Sequence, residues 1–388
     1  MFRIIATIFL CRFFIASAPI VGMFSAFMLE SGNSPVQMAI IFASFMLAMN
    51  FFEVPSSIMA DRFSRKKVII LAIIIMMLSN IPFLFSQAYC VFIIHMVLAG
   101  IGMALLSGTV EAFAYDELKS INKEDRYQTA LAVYQIALSL GCSAALFLSS
   151  FLVQYGWYMV IIISLICCFA SLVIFTFGAI ETKRIKKVEE AHSMKEILLE
   201  GGGTIIHSQI LRYIIVITVF FGTINAIFGD MAMVTSIEIG WDKAEIARVF
   251  GLNTMWEGGM IVLFAKYCRK MNIHTVKIIL IFTLICAIVG MCFMQKWSIF
   301  CVLPLWWANT LKRLIFQPKI QAHVKSSSRA TVSSFINMIF GINYILLIIL
   351  LGAIATFHSF ALGFIIISLL GVTQLMLSSF LKKPPLLR

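Results

Sequence analysis

The sequence predicts an all-α polytopic membrane protein with twelve transmembrane helices in two pseudo-symmetric six-helix bundles. Of its 388 residues, 61% are hydrophobic and only 12% are charged, and the mean hydropathy is +0.99. One soluble core could not bury this much apolar surface. The apolar residues form runs of about 20, the length of a helix that crosses a bilayer. The alternation over about 10 residues that marks a barrel strand is missing from the sequence.

The first half of the chain contains six predicted helices separated by short polar turns. They cover residues 4–29, 35–60, 67–86, 90–115, 127–153 and 157–179. The first one begins like a secretory signal peptide, but Arg12 interrupts its apolar run and Pro19 follows the small residues of a cleavage site. We therefore expect a permanent first helix.

The second half repeats this plan. Its predicted helices cover residues 209–237, 243–267, 274–294, 298–322, 329–354 and 358–381. The longest hydrophilic segment lies between the halves, and the apolar spacing at 194–198 predicts a short amphipathic helix on the membrane surface. We expect residues 1–180 and 209–388 to form the two bundles, with a cytoplasmic linker at 181–208.

Basic residues indicate how the chain is oriented. They cluster in short segments at alternate helix ends, and only Lys243 and Lys296 fall in the opposite loops. Because Lys and Arg between spans favour the cytoplasm, both termini are expected there, with the protein in a bacterial inner membrane. The net charge of +12 then reflects topology, so no nucleic acid is expected as a partner.

Signs of an enzyme or of a cofactor site are missing from the sequence. Its nine Cys residues have no metal-ligand spacing, and neither HExxH nor GxSxG occurs. We therefore expect no catalytic residues, no metal and no cofactor.

The stretch ADRFSRKK, between the second and third predicted helices, carries a recognisable pattern. It resembles the signature loop of the major facilitator superfamily: Gly, three residues, Asp, a basic residue, any residue, Gly and two basic residues. Ser57 and Ser64 stand where that family prefers Gly. The segments SGTVEAFAYDELK and SRATVSSF also look like one large branch of this superfamily. The residues that match the loop are Asp61, Arg62, Arg65 and Lys66.

The resemblance implies a secondary transporter in which two bundles rock around a central site. The expected partners are a small-molecule substrate, protons and the lipid bilayer, with the chain acting as a monomer. Export of a drug, amphiphile or siderophore-like compound is favoured by the branch. Proton-coupled uptake of a small anionic nutrient or siderophore is the alternative, since the Gly-Pro pattern of many family antiporters is absent. A transport-inactive scaffold or receptor on this fold is the alternative of another class.

The same resemblance implies a gate. Asp61 would lie under the start of the predicted helix 329–354, near Ser328 and Arg329, where a helix N-terminus favours an anion. Arg65 would reach Asp116 at the inner end of the fourth helix. These contacts would lock the halves when the cavity opens outward. In the alternative interpretation, the loop charges only set topology.

Ionisable residues at membrane depth are candidate substrate or proton sites, because a charge there costs about 2.5–3.5 kcal/mol or more. Glu257 ranks first, one helical turn after Asn253. Arg313, beside Lys312, suits a carboxylate or phosphate on a substrate. An ion pair between Glu257 and Arg313 or Lys312 is the structural alternative.

The remaining candidates lie in several helices. Charged side chains at similar depth in the first half are expected to neutralise one another, or to leave Glu111 as a protonatable partner of Arg12. Small polar stripes in the fifth and seventh helices line a cavity or form helix contacts. These candidates are Arg12, Glu53, Glu111, Gln135, Asn225 and Asp230.

Overall fold

The structure is a computed structural model. It describes residues 1–181, 203, 208–268, 271–324 and 329–377. Helices are the only regular elements in this part of the chain. Nine helical stretches of the described residues are long and apolar enough to cross a membrane. The predicted all-α membrane class is therefore confirmed, whereas the predicted surface helix at 194–198 lies outside the described residues.

The first half of the chain forms nine α-helices, with short 3-10 turns between some of them. They are α1 (Phe2–Ala16), α2 (Pro19–Gly22), α3 (Phe24–Glu30), α4 (Pro35–Arg62), α5 (Arg65–Leu78), α6 (Tyr89–Leu106), α7 (Thr109–Ser120), α8 (Tyr127–Leu152) and α9 (Trp157–Gly178).

The second half forms seven α-helices in the described residues. They are α10 (Gln209–Glu238), α11 (Lys243–Cys268), α12 (Ile273–Phe293), α13 (Ser298–Val302), α14 (Pro304–His323), α15 (Arg329–Phe357) and α16 (Phe360–Leu377).

Four of the predicted helices are interrupted, which corrects the prediction of continuous spans; one of them, 67–86, ends as an α-helix at Leu78 and resumes as a 3-10 turn at Ile81–Leu84. Pro19 and Pro304 each open a new helix, since proline fits the first turn but removes a hydrogen bond from a helix interior. Between α6 and α7, Gly108 has a φ of +70°, which a residue with a side chain rarely adopts. The breaks at Pro19, Pro304 and Gly108 therefore lie where the sequence removes a donor or permits an unusual backbone angle, whereas Met23, between α2 and α3, does neither.

The described residues form two compact units. Unit 1 consists of Met1–Asn33, Ser44–Ala191 and Lys243–Gly258. In this unit α1 packs against α8 and α9, and α5 packs against α6 and α9. Its core is a cluster of buried apolar residues from α1, α5, α6, α7 and α9.

Unit 2 consists of Ser34–Ala43, His192–Asp242 and Gly259–Arg388. Here α10 packs against α15 and α16, and α12 packs against α14 and α16. In the order of the predicted helices, α10 corresponds to α1 and α12 corresponds to α5. Each packs against the helices that correspond to the partners of α1 and α5 in unit 1. The internal repeat of the sequence is therefore also a repeat of packing. The predicted division at 181–208 stays a prediction.

A glycine sets a close helix crossing in unit 1. A Cβ atom at Gly141 of α8 would lie 2.6 Å from the Ala16 Cβ and 2.7 Å from the Phe13 carbonyl oxygen of α1. We expect Gly141→Val to force the helices apart and to destabilise the protein by about 1–3 kcal/mol, the usual cost of overpacking. A lower melting temperature of purified protein would show this. Gly259→Val is the matched control, because a Cβ atom at Gly259 would meet no described atom within 4 Å, and an equal loss there would contradict the prediction.

Candidate functional site

Unit 2 contains a cavity of about 470 Å³, which lies among the membrane-spanning helices α10, α14 and α15. Each helix contributes residues at helical spacing, so one face of each helix lines the cavity. Its volume falls within the range of about 300–1,000 Å³ that is usual for small-molecule sites. Its main polar residues are Thr218, Asn225, Asn309, Lys312, Arg313 and Asn337.

Lys312 is 3% exposed and lies deep in α14, although it carries an ammonium group. Its Nζ donates a hydrogen bond to the Thr218 carbonyl oxygen at 3.2 Å. The same atom lies 5.6 Å from the centre of the Phe221 ring, in cation–π geometry. A carbonyl and an aromatic face lessen the cost of burying this charge, but neither neutralises it.

Positive charge in the cavity is therefore unbalanced. Among the described residues of unit 2, no carboxylate forms an ion pair with Lys312 or with Arg313. The structure places both side chains in the lining of the cavity. Unpaired positive charge at membrane depth is costly and is kept mainly where it has a function. The arrangement can hold an acid group.

Gly222 makes room for the Lys312 ammonium. A Cβ atom at this position would lie 2.9 Å from Nζ and 3.4 Å from the Phe340 ring. We expect Gly222→Ala to leave the fold intact, because the flexible end of Lys312 can move, but to weaken binding of an anionic ligand about tenfold or more, equivalent to about 1.4 kcal/mol. Ligand titration of folded protein tests this. Gly229→Ala is the control, because its nearest neighbour, the Trp306 indole nitrogen, lies at 3.6 Å. Unchanged affinity in Gly222→Ala would contradict the expected displacement.

The Asp230 carboxyl group lies one helical turn beyond the cavity. It follows the cavity residue Ala226 by four positions in α10, and Tyr344 follows the cavity residue Phe340 by four positions in α15. The Tyr344 hydroxyl donates a hydrogen bond to Asp230 Oδ2, and the Tyr344 ring stacks on Phe340. Asp230 is thus linked to the wall of the cavity by two side chains of α15.

Glu257, the first-ranked candidate, lies elsewhere. It belongs to the part of α11 that packs in unit 1, is half-buried, and follows the buried Asn253 by one turn. Its neighbour Gly258 packs closely on α8: a Cβ atom there would lie 2.9 Å from the Ser139 Cβ. Asn253 Oδ1 is buried without a hydrogen-bond partner among the described residues. The role of Glu257 stays a prediction.

Arg12 is buried in unit 1, where the structure shows a different contact from the expected ion pair. Its guanidinium carbon lies 4.9 Å from the centre of the Tyr134 ring. Arg12 forms no ion pair among the described residues, and its Nε has no hydrogen-bond partner there. A cation–π contact replaces the predicted carboxylates, because Tyr134 of α8 packs over α1 at this level.

The other first-half candidates are not gathered into one site. Glu111 opens the first turn of α7 and is exposed, and its expected role as a protonatable partner of Arg12 stays a prediction. Glu53 is half-buried in α4, and Gln135 is half-buried in α8. The structure gives none of these three a place in the cavity of unit 2.

In the signature loop, the structure brings Arg65 and Asp116 together, with Nη1 and Oδ2 2.6 Å apart. Arg65 opens α5 and also donates to the Ala112 carbonyl oxygen of α7. Lys66 Nζ donates to the Ala179 carbonyl oxygen at 2.6 Å. Two basic residues of the loop therefore fix the start of α5 to α7 and to the end of α9. Their gating role stays a prediction.

The other half of the predicted gate lies outside the described side chains. Asp61 and Arg62 form the last turn of α4, and Arg329 opens α15, but only their backbone is described. Ser328 lies outside the described residues. The predicted contact of Asp61 with the start of α15 therefore stays a prediction.

Sequence reasoning missed two acidic residues that join helix ends. Glu181, just after α9, accepts hydrogen bonds from the Ser64 hydroxyl and from the Lys66 backbone N–H, the latter at 3.4 Å. At the opposite end of unit 1, Glu30 accepts from Trp157 Nε1 at 2.8 Å and pairs with Lys243. Both acids are next to helix termini in the sequence, but only the fold supplies their partners.

Comparison with known proteins agrees with the helical architecture. The family model described as Major Facilitator Superfamily matches residues 5–311. Multidrug resistance protein 2 of Bacillus subtilis (strain 168) is 24% identical over 268 residues, which are 66% of this chain and 62% of that protein. The match thus spans less than two thirds of that relative's length.

Solved structures extend the comparison to the whole chain. A point mutant of the nucleoside transporter NupG is 12% identical, with a TM-score of 0.79 and coverage of 99% of this chain and 100% of that one. A bacterial homologue of the human lysosomal transporter Spinster, in an inward-facing and occupied conformation, is 13% identical, with a TM-score of 0.74 and coverage of 98% and 95%. At these identities the likeness shows the fold.

Proposed function

The chain belongs to the major facilitator superfamily, and we propose that it is a proton-coupled secondary transporter that exports a small molecule through alternating access. One observation carries this proposal: the cavity of unit 2 lies among spanning helices and holds two cationic side chains without a carboxylate partner in that unit's described residues. A transport-inactive scaffold would have no need for such a site, since unpaired charge in the membrane is costly.

The direction of transport rests on different support. The 24% identity to a protein named for multidrug resistance favours export of a drug, an amphiphile or a siderophore-like compound. The cationic cavity also supports the second candidate, proton-coupled uptake of a small anionic nutrient or siderophore. Both use the same cavity and the same alternating-access cycle.

Coupling to protons requires a carboxyl group that can gain and lose a proton during the cycle. Asp230 is our first candidate, because it lies one turn beyond the cavity and bonds to a neutral phenol rather than to a cation. Its protonation therefore breaks no ion pair. Glu257 is the second candidate, since it is half-buried in α11, a helix that the sequence predicts to span the membrane.

We propose further that the protein acts as a monomer in a bacterial inner membrane. The short basic segments at alternate helix ends support cytoplasmic termini. On this orientation the signature loop, with Arg65 and Asp116, faces the cytoplasm, and the Glu30–Lys243 pair faces the opposite side.

The proposal is tested by reconstituting the protein in liposomes and screening labelled solutes for flux driven by a pH gradient. We expect at least one solute to be accumulated, and collapse of the gradient with a protonophore to stop this. Glu257→Gln is included as a variant: a loss of about tenfold or more in gradient-driven flux, with exchange of labelled substrate intact, would assign the proton to Glu257. Unchanged gradient-driven flux would remove it from the candidates. If folded protein moves no solute, the scaffold or receptor becomes the better hypothesis.

A further inference from the structure

The cavity in unit 2 combines unbalanced positive charge with aromatic walls. From this combination we infer that it binds organic anions with an aromatic or other extended apolar body, the acid group lying between Lys312 and Arg313. As a statement about the transported substrate, this inference rests on the proposed function; as a statement about binding, it stands on the cavity alone.

The acid group has two cationic donors available. Lys312 and Arg313 are neighbours in α14, and both line the cavity. An ammonium has three N–H donors, of which the Thr218 carbonyl takes one. Arg313 is exposed towards the cavity side of its helix and forms no ion pair with the described residues, so its planar fork of donors can bind a carboxylate or phosphate bidentately.

A buried amide adds a third donor. Asn225 of α10 lines the cavity and is 5% exposed, and its Nδ2 has no hydrogen-bond partner among the described residues. A buried donor without an acceptor is unfavourable. An acid oxygen of a ligand held by Lys312 would supply that acceptor. Within the described part of the chain, the Asn309 Oδ1 and Thr218 Oγ1 atoms of the wall are also unpartnered and can bind a polar substituent.

The remaining wall is apolar and includes two aromatic rings. Phe316 of α14 lines the cavity and is 1% exposed. Phe340 of α15 also lines it, next to Gly222. Val219 and Ile336 complete an apolar surface that a small inorganic anion would not touch. Burying the apolar body of a ligand here adds hydrophobic stabilisation to the charge pairing. A cationic amphiphile would fit the same wall but would be repelled by two positive charges.

The inference is tested by measuring binding of four naphthalene derivatives to purified protein in neutral detergent, by titration calorimetry. The probes share one aromatic body and differ in the head group: a carboxylate, a phosphate ester, a neutral carboxamide and a methylammonium cation. We expect the carboxylate, the phosphate ester or both to bind at least tenfold more tightly than the amide and the cation. Acetate and inorganic phosphate, which lack the body, are expected to bind at least tenfold more weakly than the corresponding aromatic anion.

Substitutions of the two cationic residues test whether the anion binds in this cavity. We expect Lys312→Gln and Arg313→Gln each to weaken binding of the aromatic anion at least tenfold. Lys312→Arg should retain most of the affinity. If Lys312→Gln fails to fold, Arg313→Gln and Lys312→Arg still decide the matter. Lys296→Gln, which removes an exposed positive charge outside the cavity, is the matched control and should change nothing.

Three results would overturn the inference: equal binding of the amide or the cation, no binding of any probe to folded protein, or anion binding that both glutamine variants leave intact. Failure of the inference and failure of the transport proposal are distinguishable. Gradient-driven flux of a cationic or neutral solute, together with no binding of the aromatic anions, would overturn the first and keep the second. Tight binding of the anions without any flux would do the reverse.

Discussion

Asp230→Asn is expected to abolish accumulation against a pH gradient while leaving exchange of substrate across the membrane intact. The substitution keeps the size of the side chain and an oxygen that can accept from the Tyr344 hydroxyl, but it removes the group that can carry a proton. If Asp230 couples the cycle to protons, the variant can still bind substrate and change conformation, so counterflow of labelled substrate continues. The initial rate of gradient-driven accumulation should fall at least a hundredfold, to the level of protein-free liposomes. This corresponds to about 2.7 kcal/mol in activation free energy.

Two control variants accompany this experiment. Tyr344→Phe removes the hydrogen bond but keeps the carboxyl group, so accumulation should continue at a reduced rate. Asp125→Asn removes an exposed acid that pairs with the neighbouring Arg126, and it should behave as the wild type. Accumulation by Asp230→Asn at the wild-type level would exclude Asp230 as the proton carrier. A parallel loss of exchange would instead make Asp230 a structural or substrate-binding residue.

Sequence reasoning predicted the helices well because a bilayer imposes one length and one composition on each span. Predicted helix 127–153 became α8 (Tyr127–Leu152) and predicted helix 157–179 became α9 (Trp157–Gly178). The predictions that failed concern breaks: hydropathy does not change at Pro304, so only the backbone chemistry of proline marks the division between α13 and α14. The internal repeat was also predicted, and it appears in the packing of each unit.

The candidate site was predicted less completely, because the sequence does not say which polar residues of different helices meet. Lys312 and Asn225 are 87 positions apart in the chain, and they share a cavity only because α10 and α14 pack together. The same limit applies to Arg12. Similar membrane depth suggested carboxylate partners, whereas side-chain direction in α8 placed the Tyr134 ring there instead. Depth can be read from hydropathy, but the facing residue on a neighbouring helix cannot.

The signature loop makes the second large prediction: removal of either member of the Arg65–Asp116 pair should lower transport at least tenfold, or by about 1.4 kcal/mol in activation free energy. The pair joins the start of α5 to α7 at 2.6 Å, and Arg65 is the more buried partner, with 11% of its side chain exposed against 37% for Asp116. Removing one residue leaves the other charge without its partner. It also breaks the contact that we expect to lock one state of the cycle.

The coupling between the two residues is measured by a double-mutant cycle on initial flux. Since both substitutions break one contact, Arg65→Gln combined with Asp116→Asn should be no slower than the slower single variant. The charge exchange Arg65→Asp with Asp116→Arg should recover only part of the rate, because Arg65 also donates to the Ala112 carbonyl oxygen, which an aspartate cannot do. Arg126→Gln is the control, since its pair with Asp125 is exposed and exposed pairs contribute little. If the two single losses multiply in the double variant, the residues act independently, and the loop charges serve only to set the orientation of the chain in the membrane.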